Sequence, residues 1–157
     1  MISPAVGEPA PDFTLPGTTG DGGPARDYHL ADQRGHVVVL VFYPGDNTPV
    51  CTVQLRTYTE DFSQFDALGA TVWAMSPQDI DSHEDFAARQ GGFGFPLLAD
   101  VDKEVGRAYN ILGPLGFYRR SVFVVDAAGV IRYAHRAASG LTFRPTAELV
   151  EAVRHAT

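Results

Sequence analysis

The stretch HVVVLVFYPGDNTPVC, residues 36–51, decides the fold. Its first half, Val37 to Tyr43, is an unbroken apolar run rich in valine. A run of that length reads as a strand buried on both faces. PGDNTPV then stops the strand with turn-forming residues. From Cys51 to about Leu68 the pattern turns helical, with Leu55, Tyr58, Phe62 and Phe65 at steps of three and four. The stretch predicts strand, turn, helix.

Working outward, ATVWAMS (70–76) is a second buried strand. Two such strands need a crossover between them, and the Cys51 helix supplies it. DIDSHEDFAARQG (79–91) reads as a helix, with Asp81 or Ser82 as its cap and Gly91 as its end. FPLLAD is short and extended, and DKEVGRAYNI is helical. SVFVVDAAGVIRYAHRA (121–137) reads as strand, turn at Asp126 to Gly129, and strand. PTAELVEAVRHA closes the chain as a helix with Pro145 and Thr146 at its start. The opening, through GTTGDGGPARD, reads as turns and a short hairpin, with Phe13 to Leu15 extended. The alternation predicts an α/β fold with a central mixed sheet flanked by helices on both faces.

The totals narrow the function. A chain of 157 residues is expected to form one domain, residues 1–157, with a core that needs no staples. A net charge of −7 argues against nucleic acid or an anionic membrane as partner. The apolar run is too short to span a bilayer, and MISPAVGEPAPDF lacks the basic start and apolar stretch of a signal peptide. A cytoplasmic location is the default expectation. The single cysteine makes an internal disulfide impossible. The five histidines, His29, His36, His83, His135 and His155, show no metal-ligand spacing, so neither metal nor cofactor is expected. Asp46 and Asn47 read as turn residues, and His83 as a partly exposed histidine at a helix start.

The lone cysteine therefore carries the question. Thr48 is a good N-cap and Pro49 suits the first helical position, which makes Cys51 the third residue of the helix. A thiol there faces the positive end of the helix dipole and several unpaired N–H groups, both of which favour thiolate. The same N–H groups suit a polarised oxygen beside the sulfur. Position alone leaves a reactive thiolate and an inert buried thiol equally open.

Pro44, Thr48 and Cys51 reproduce Pro-x-x-x-Thr-x-x-Cys, and the motif resembles that of the peroxiredoxins, thiol peroxidases on a thioredoxin-like fold. The resemblance runs in order along nearly the whole chain: VGEPAPDFTL, the strand ending in FYP, SHEDF, GFPLLAD, the tyrosine of RAYNI, and RRSVFVVDAAGVIR. It is most similar to the peroxiredoxin Q, or bacterioferritin-comigratory, branch. The resemblance implies that Cys51 is the peroxidatic thiolate, that Thr48 holds thiolate and peroxide, and that Pro44 shields the site. It implies an arginine before the FVVD strand, by spacing Arg120 in preference to Arg119. Many members of the branch carry a resolving cysteine five residues after the first; here that position is Arg56, and Gln54 stands where many have glutamate. The resemblance then implies a one-cysteine cycle. Hydrogen peroxide or an organic hydroperoxide is the substrate, and an external thiol (a thioredoxin, a glutaredoxin or a small thiol) is the reductant. The protein would be a monomer or homodimer. A redox sensor that signals through oxidised Cys51 is the alternative from another class. A cysteine hydrolase is a third, but it needs a histidine base that the sequence does not offer near Cys51.

Overall fold

In a computed structural model, which describes residues 2–137 and 142–157, the valine run forms β3 (Val38–Phe42). All five of its residues are buried, and it lies at the heart of a seven-stranded sheet. Its parity divides the core. Val37, Val39, Val41 and Tyr43 face one layer, while Val38, Leu40 and Phe42 face the other. An alternating strand would have one wet face; this one has none, as the uninterrupted run predicts.

The other strands are β1 (Thr14–Thr18), β2 (Arg26–His29), β4 (Thr71–Ser76), β5 (Leu97–Ala99), β6 (Ser121–Val125) and β7 (Ile131–Arg136). They lie in the order β2-β1-β5-β4-β3-β6-β7. The β3–β4 and β4–β5 pairs are parallel, and the remaining pairs are antiparallel, so the sheet is mixed. The glycine-rich opening is the β1–β2 hairpin. Trp73 on β4 is buried, 3 % exposed, and meets Tyr28 and Phe13 edge-on.

Helices α1 (Pro49–Glu60), α2 (Phe62–Asp66), α3 (Ile80–Arg89) and α5 (Thr146–Ala156) send Leu55, Tyr58, Phe65, Phe86 and Leu149 into the first layer. Helix α4 (Glu104–Ala108) puts Val105 into the second, beside Tyr109, Ile111 and Phe123. Both faces are therefore covered. Helices α1 and α2 together carry the crossover from β3 to β4.

Two expectations are corrected. The helical period from Cys51 to Leu68 is not one helix: it divides at Asp61, whose φ and ψ are −93° and 6°. The Asp61 carboxylate accepts the Thr146 hydroxyl at 2.7 Å, so the break anchors the start of α5. The cap of α3 is neither Asp81 nor Ser82 but Asp79, whose carboxylate accepts the Ser82 N–H at 2.9 Å. The apolar period located the helix but not the one side chain with the extended backbone a cap requires.

Candidate active site

Strand β3 ends at Phe42, and the chain turns through Pro44–Thr48 into α1. Thr48 has the extended backbone of an N-cap (φ −96°, ψ 150°), and Pro49 opens the helix. Cys51 is its third residue and is 0 % exposed. Proline has no N–H, so the first turn offers those of Val50, Cys51 and Thr52. The Thr52 N–H closes the first helical bond, to the Thr48 carbonyl at 2.9 Å. Among the described residues the Val50 and Cys51 N–H groups have no hydrogen-bond acceptor. Two donors at the positive end of a twelve-residue helix thus stay open beside the sulfur.

The side-chain cap is a correction. The Thr48 hydroxyl does not accept from the helix; it donates to the Gly45 carbonyl at 3.0 Å. Its hydrogen is spent inside the turn, and its lone pairs remain for an incoming donor. Thr48 is exposed, Pro44 is half-buried, and Cys51 lies beneath them.

Across the sheet, Phe42 pairs with Ser121, which sets Arg120 at the level of Tyr43. Arg120 shares the parity of Val122 and Val124, which face the same layer as Cys51. Arg119 has the opposite parity and is exposed. The guanidinium of Arg120, 4 % exposed as a residue, brings Nη2 to 3.2 Å from Cys51 Sγ. The guanidinium thus hydrogen-bonds the sulfur and sets a positive charge beside it. Its Nη1 donates to Gln54 Oε1 at 2.5 Å. That partner is an amide, so Gln54 orients the guanidinium without neutralising it. Gln54 is 0 % exposed, three residues after Cys51 on the same helical face. That spacing was the signal that could have placed it in the site.

Two more residues escaped their sequence reading. His83 is not partly exposed; it is 0 % exposed, and Asp46 is more than a turn residue. The Asp46 carboxylate, its side chain 2 % exposed, lies 2.7 Å from His83 Nδ1. Arg56, at the position where the resemblance puts a resolving cysteine in many members, has a structural contact instead. Arg56 reaches from α1 to the end of α3, donating to the Gln90 and Gly92 carbonyls at 2.9 and 3.2 Å. Cys51 is the only cysteine in the chain, so its sulfur has no second thiol to pair with in the same chain. Among the described residues no group of three His, Cys, Asp or Glu side chains comes together as a metal site. No helix among them is long and apolar enough to cross a membrane.

A buried thiol at a helix start, beside a buried guanidinium, on a mixed sheet covered on both faces, is the arrangement of a thioredoxin-like cysteine enzyme. The sequence model of the AhpC/TSA family matches residues 6–134. Peroxiredoxin Bcp of Xanthomonas campestris is 33 % identical over 135 residues, covering 82 % of this chain and 82 % of that protein. Peroxiredoxin 2 of Thermoplasma acidophilum is 37 % identical over 134 residues, 82 % of this chain and 64 % of that one. Mycobacterium tuberculosis AhpC superposes with a TM-score of 0.87 over 96 % of this chain and 91 % of its own, at 21 % identity, a likeness of fold. The chain belongs to the AhpC/TSA family, the peroxiredoxins, and is a thiol-dependent peroxidase. The family implies a peroxide as substrate.

Proposed function

We propose that this peroxidase works by a one-cysteine cycle on hydrogen peroxide and organic hydroperoxides, as a member of the peroxiredoxin Q or bacterioferritin-comigratory branch without a resolving cysteine. The observation that carries the reading is the 3.2 Å contact of Arg120 with the sulfur of the chain's only cysteine.

The Cys51 thiolate attacks the nearer peroxide oxygen. An S–O bond forms and the O–O bond breaks. Sulfur gives up two electrons, and the far oxygen leaves as hydroxide or alkoxide, which takes a proton to become water or an alcohol. Negative charge moves from sulfur to that oxygen, and Arg120 with the open N–H groups of Val50 and Cys51 is suited to follow it. The Thr48 hydroxyl accepts the peroxide O–H, which aims the oxygen at sulfur, and Pro44 limits water at the mouth. The product is a Cys51 sulfenic acid. An external thiol then displaces water from it to give a mixed disulfide, and a second thiol releases Cys51 and leaves as the other half of a disulfide. A thioredoxin, a glutaredoxin or a small thiol meets that requirement, and the protein needs no cofactor for any step. A second reading rests on the same lone cysteine: a redox sensor in which Cys51 is oxidised once and signals to a partner.

The test is intact mass after one equivalent of hydrogen peroxide with a sulfenic-acid trap, timed against free cysteine. A trapped adduct on Cys51, formed far faster than on free cysteine and absent from Cys51→Ser, is expected. An adduct no faster than on free cysteine, or peroxide turnover retained in Cys51→Ser, sinks the reading. A burst that no thiol can restart would favour the sensor.

A further inference from the structure

One buried titratable pair lies outside the chemistry just described, and it grips the loop that carries that chemistry. Asp46 sits between Pro44 and Thr48. Its Oδ1 accepts the Tyr43 hydroxyl at 2.7 Å. Its Oδ2 accepts the Ser82 hydroxyl at 2.7 Å and faces His83 Nδ1 at the same distance. The Asp46 N–H donates to Gln78 Oε1 at 3.0 Å, and Gln78 Oε1 also takes the Ser76 hydroxyl at 2.8 Å. His83 Nε2 lies 2.8 Å from the Leu98 carbonyl. The loop is thus tied to β3, the end of β4, α3 and β5 through a single residue.

The proton count is informative. A neutral imidazole has one N–H, yet both ring nitrogens of His83 face acceptors, a carboxylate and a carbonyl. One extra proton must lie between Nδ1 and Oδ2, whichever atom carries it. The pair is net neutral and fully enclosed, the condition under which a buried charge is tolerable. Tyr43 is the other titratable group in contact, with its hydroxyl 3.4 Å from Nδ1. Burial first, and the Asp46 carboxylate second, hold the Tyr43 phenol well above its ordinary value, so it remains a donor. Within the loop Asn47 has φ +59°, a left-handed turn conformation that asparagine tolerates.

We propose that Asp46 and His83 are positioning residues for the peroxide reaction. The pair fixes the Pro44–Thr48 turn, and with it the Thr48 hydroxyl and the first-turn N–H groups, relative to the Arg120-bound sulfur. The role rests on the peroxidase reading above. The clamp touches neither sulfur nor peroxide; it sets where they meet.

Peroxide attack requires alignment, whereas alkylation by iodoacetamide requires only a thiolate and access to it. Asp46→Ala is expected to slow Cys51 oxidation by hydrogen peroxide about 100-fold, the scale of a misplacement near 1 Å. Alkylation should not slow in parallel: the Arg120 contact is untouched, and a looser turn opens access to a sulfur that is 0 % exposed. Amide exchange in residues 45–52 should quicken about tenfold as the turn loosens. Asp46→Asn supplies the conservative rescue. Its amide can donate to the neutral imidazole at Nδ1 and to the Ser82 oxygen, while Nε2–H keeps the Leu98 carbonyl. It should return oxidation to within about fivefold of the unaltered protein. Should Asp46→Ala fail to fold, Gln78→Ala loosens the same turn without burying a lone charge, and oxidation about threefold to tenfold slower is expected. Oxidation within twofold of wild type in a folded Asp46→Ala or in Gln78→Ala overturns the proposal. So does Asp46→Asn as slow as Asp46→Ala with unchanged exchange. If the unaltered protein itself fails to react with peroxide, the peroxidase reading falls instead. Exchange over residues 45–52 then decides alone: no change in either variant rejects the clamp.

Discussion

At the scale of single residues, the site is a matter of donors and where they point. Arg120 reaches the sulfur with one nitrogen and Gln54 with the other, a fork that lysine cannot reproduce. Arg120→Lys keeps the charge and loses the fork; Arg120→Ala loses both. Removing a preorganised donor to developing charge costs about 100-fold to 1,000-fold in rate, and Arg120→Ala is expected in that range. Arg120→Lys should fall between it and wild type. The measurement is the second-order rate of Cys51 oxidation by hydrogen peroxide, and a lysine variant equal to wild type would mean that charge alone suffices. Thr48 makes a separate case. Its hydroxyl already gives its hydrogen to Gly45, so its proposed role is to accept. Thr48→Val keeps the shape and removes the oxygen. It should slow oxidation by about tenfold or more. Thr48→Ser should retain most of the rate. A fast valine variant would leave the hydroxyl with only its turn contact.

At the scale of elements, both the helix that carries the sulfur and the last helix are held by core packing, and polar contacts at the start of the last helix add to its hold. Leu55 on α1 is 0 % exposed within the first core layer. Leu55→Ala should lower stability by about 2–5 kcal/mol, read by urea or thermal melting, with the spread set by how far the cavity collapses. On α5, the Glu148 carboxylate meets Arg144 at 2.5 and 2.8 Å and takes the Tyr133 hydroxyl. The Arg144 hydrogen bond first, then that of Tyr133, holds Glu148 below the usual glutamate range. A depressed folded-state pKa gives stability that is present above the unfolded value and lost as pH falls through the folded one. Both side chains of the ion pair are over a third exposed, or nearly so, and its worth is under about 1 kcal/mol. Glu148→Gln should melt a few degrees lower near neutrality, about 2–4 °C at most, with the gap closing below about pH 4. A gap that persists in acid would show that the loss is steric.

The same scale shows what a sequence can yield. The valine run, the break at Pro44 and the helical period after Cys51 each depend on neighbours in the chain, so strand, turn and helix could be read there. Arg120 came from the resemblance, by its spacing to Phe123, and in the structure its parity with Val122 and Val124 turns it into the layer that holds Cys51. The Asp46–His83 pair was not within reach. The two residues are 37 positions apart and meet only once α3 docks against the turn. The break at Asp61 was hidden for the same reason, since its partner Thr146 lies 85 positions on. Local pattern reports which face is apolar; it does not report which polar side chains close on one another inside.

At the scale of the whole molecule, the decisive number is the single cysteine. The sulfur lies where the central strand gives way to α1, 0 % exposed, under a turn tied to its surroundings. No second thiol in the chain can displace water from the sulfenic acid proposed to form on Cys51. Position 56, where the resemblance puts a resolving cysteine in other members, is an arginine whose guanidinium holds the end of α3. The fold therefore cannot complete the proposed cycle alone, and stoichiometry becomes a test of the whole chain. Without added thiol, each chain should consume one equivalent of peroxide rapidly and gain about 16 Da as sulfenic acid, with slower gains as excess peroxide carries it to sulfinic acid. Under non-reducing conditions no disulfide should form within a chain. With a small thiol in excess, consumption should continue for many equivalents, and the resting mass should return to that of the reduced protein. Continued turnover without any thiol would require another reductant and break the one-cysteine scheme. A halt at one equivalent in the presence of thioredoxin, glutaredoxin and small thiols alike would leave the initial attack intact. It would also turn the lone cysteine from a turnover centre into a sensor.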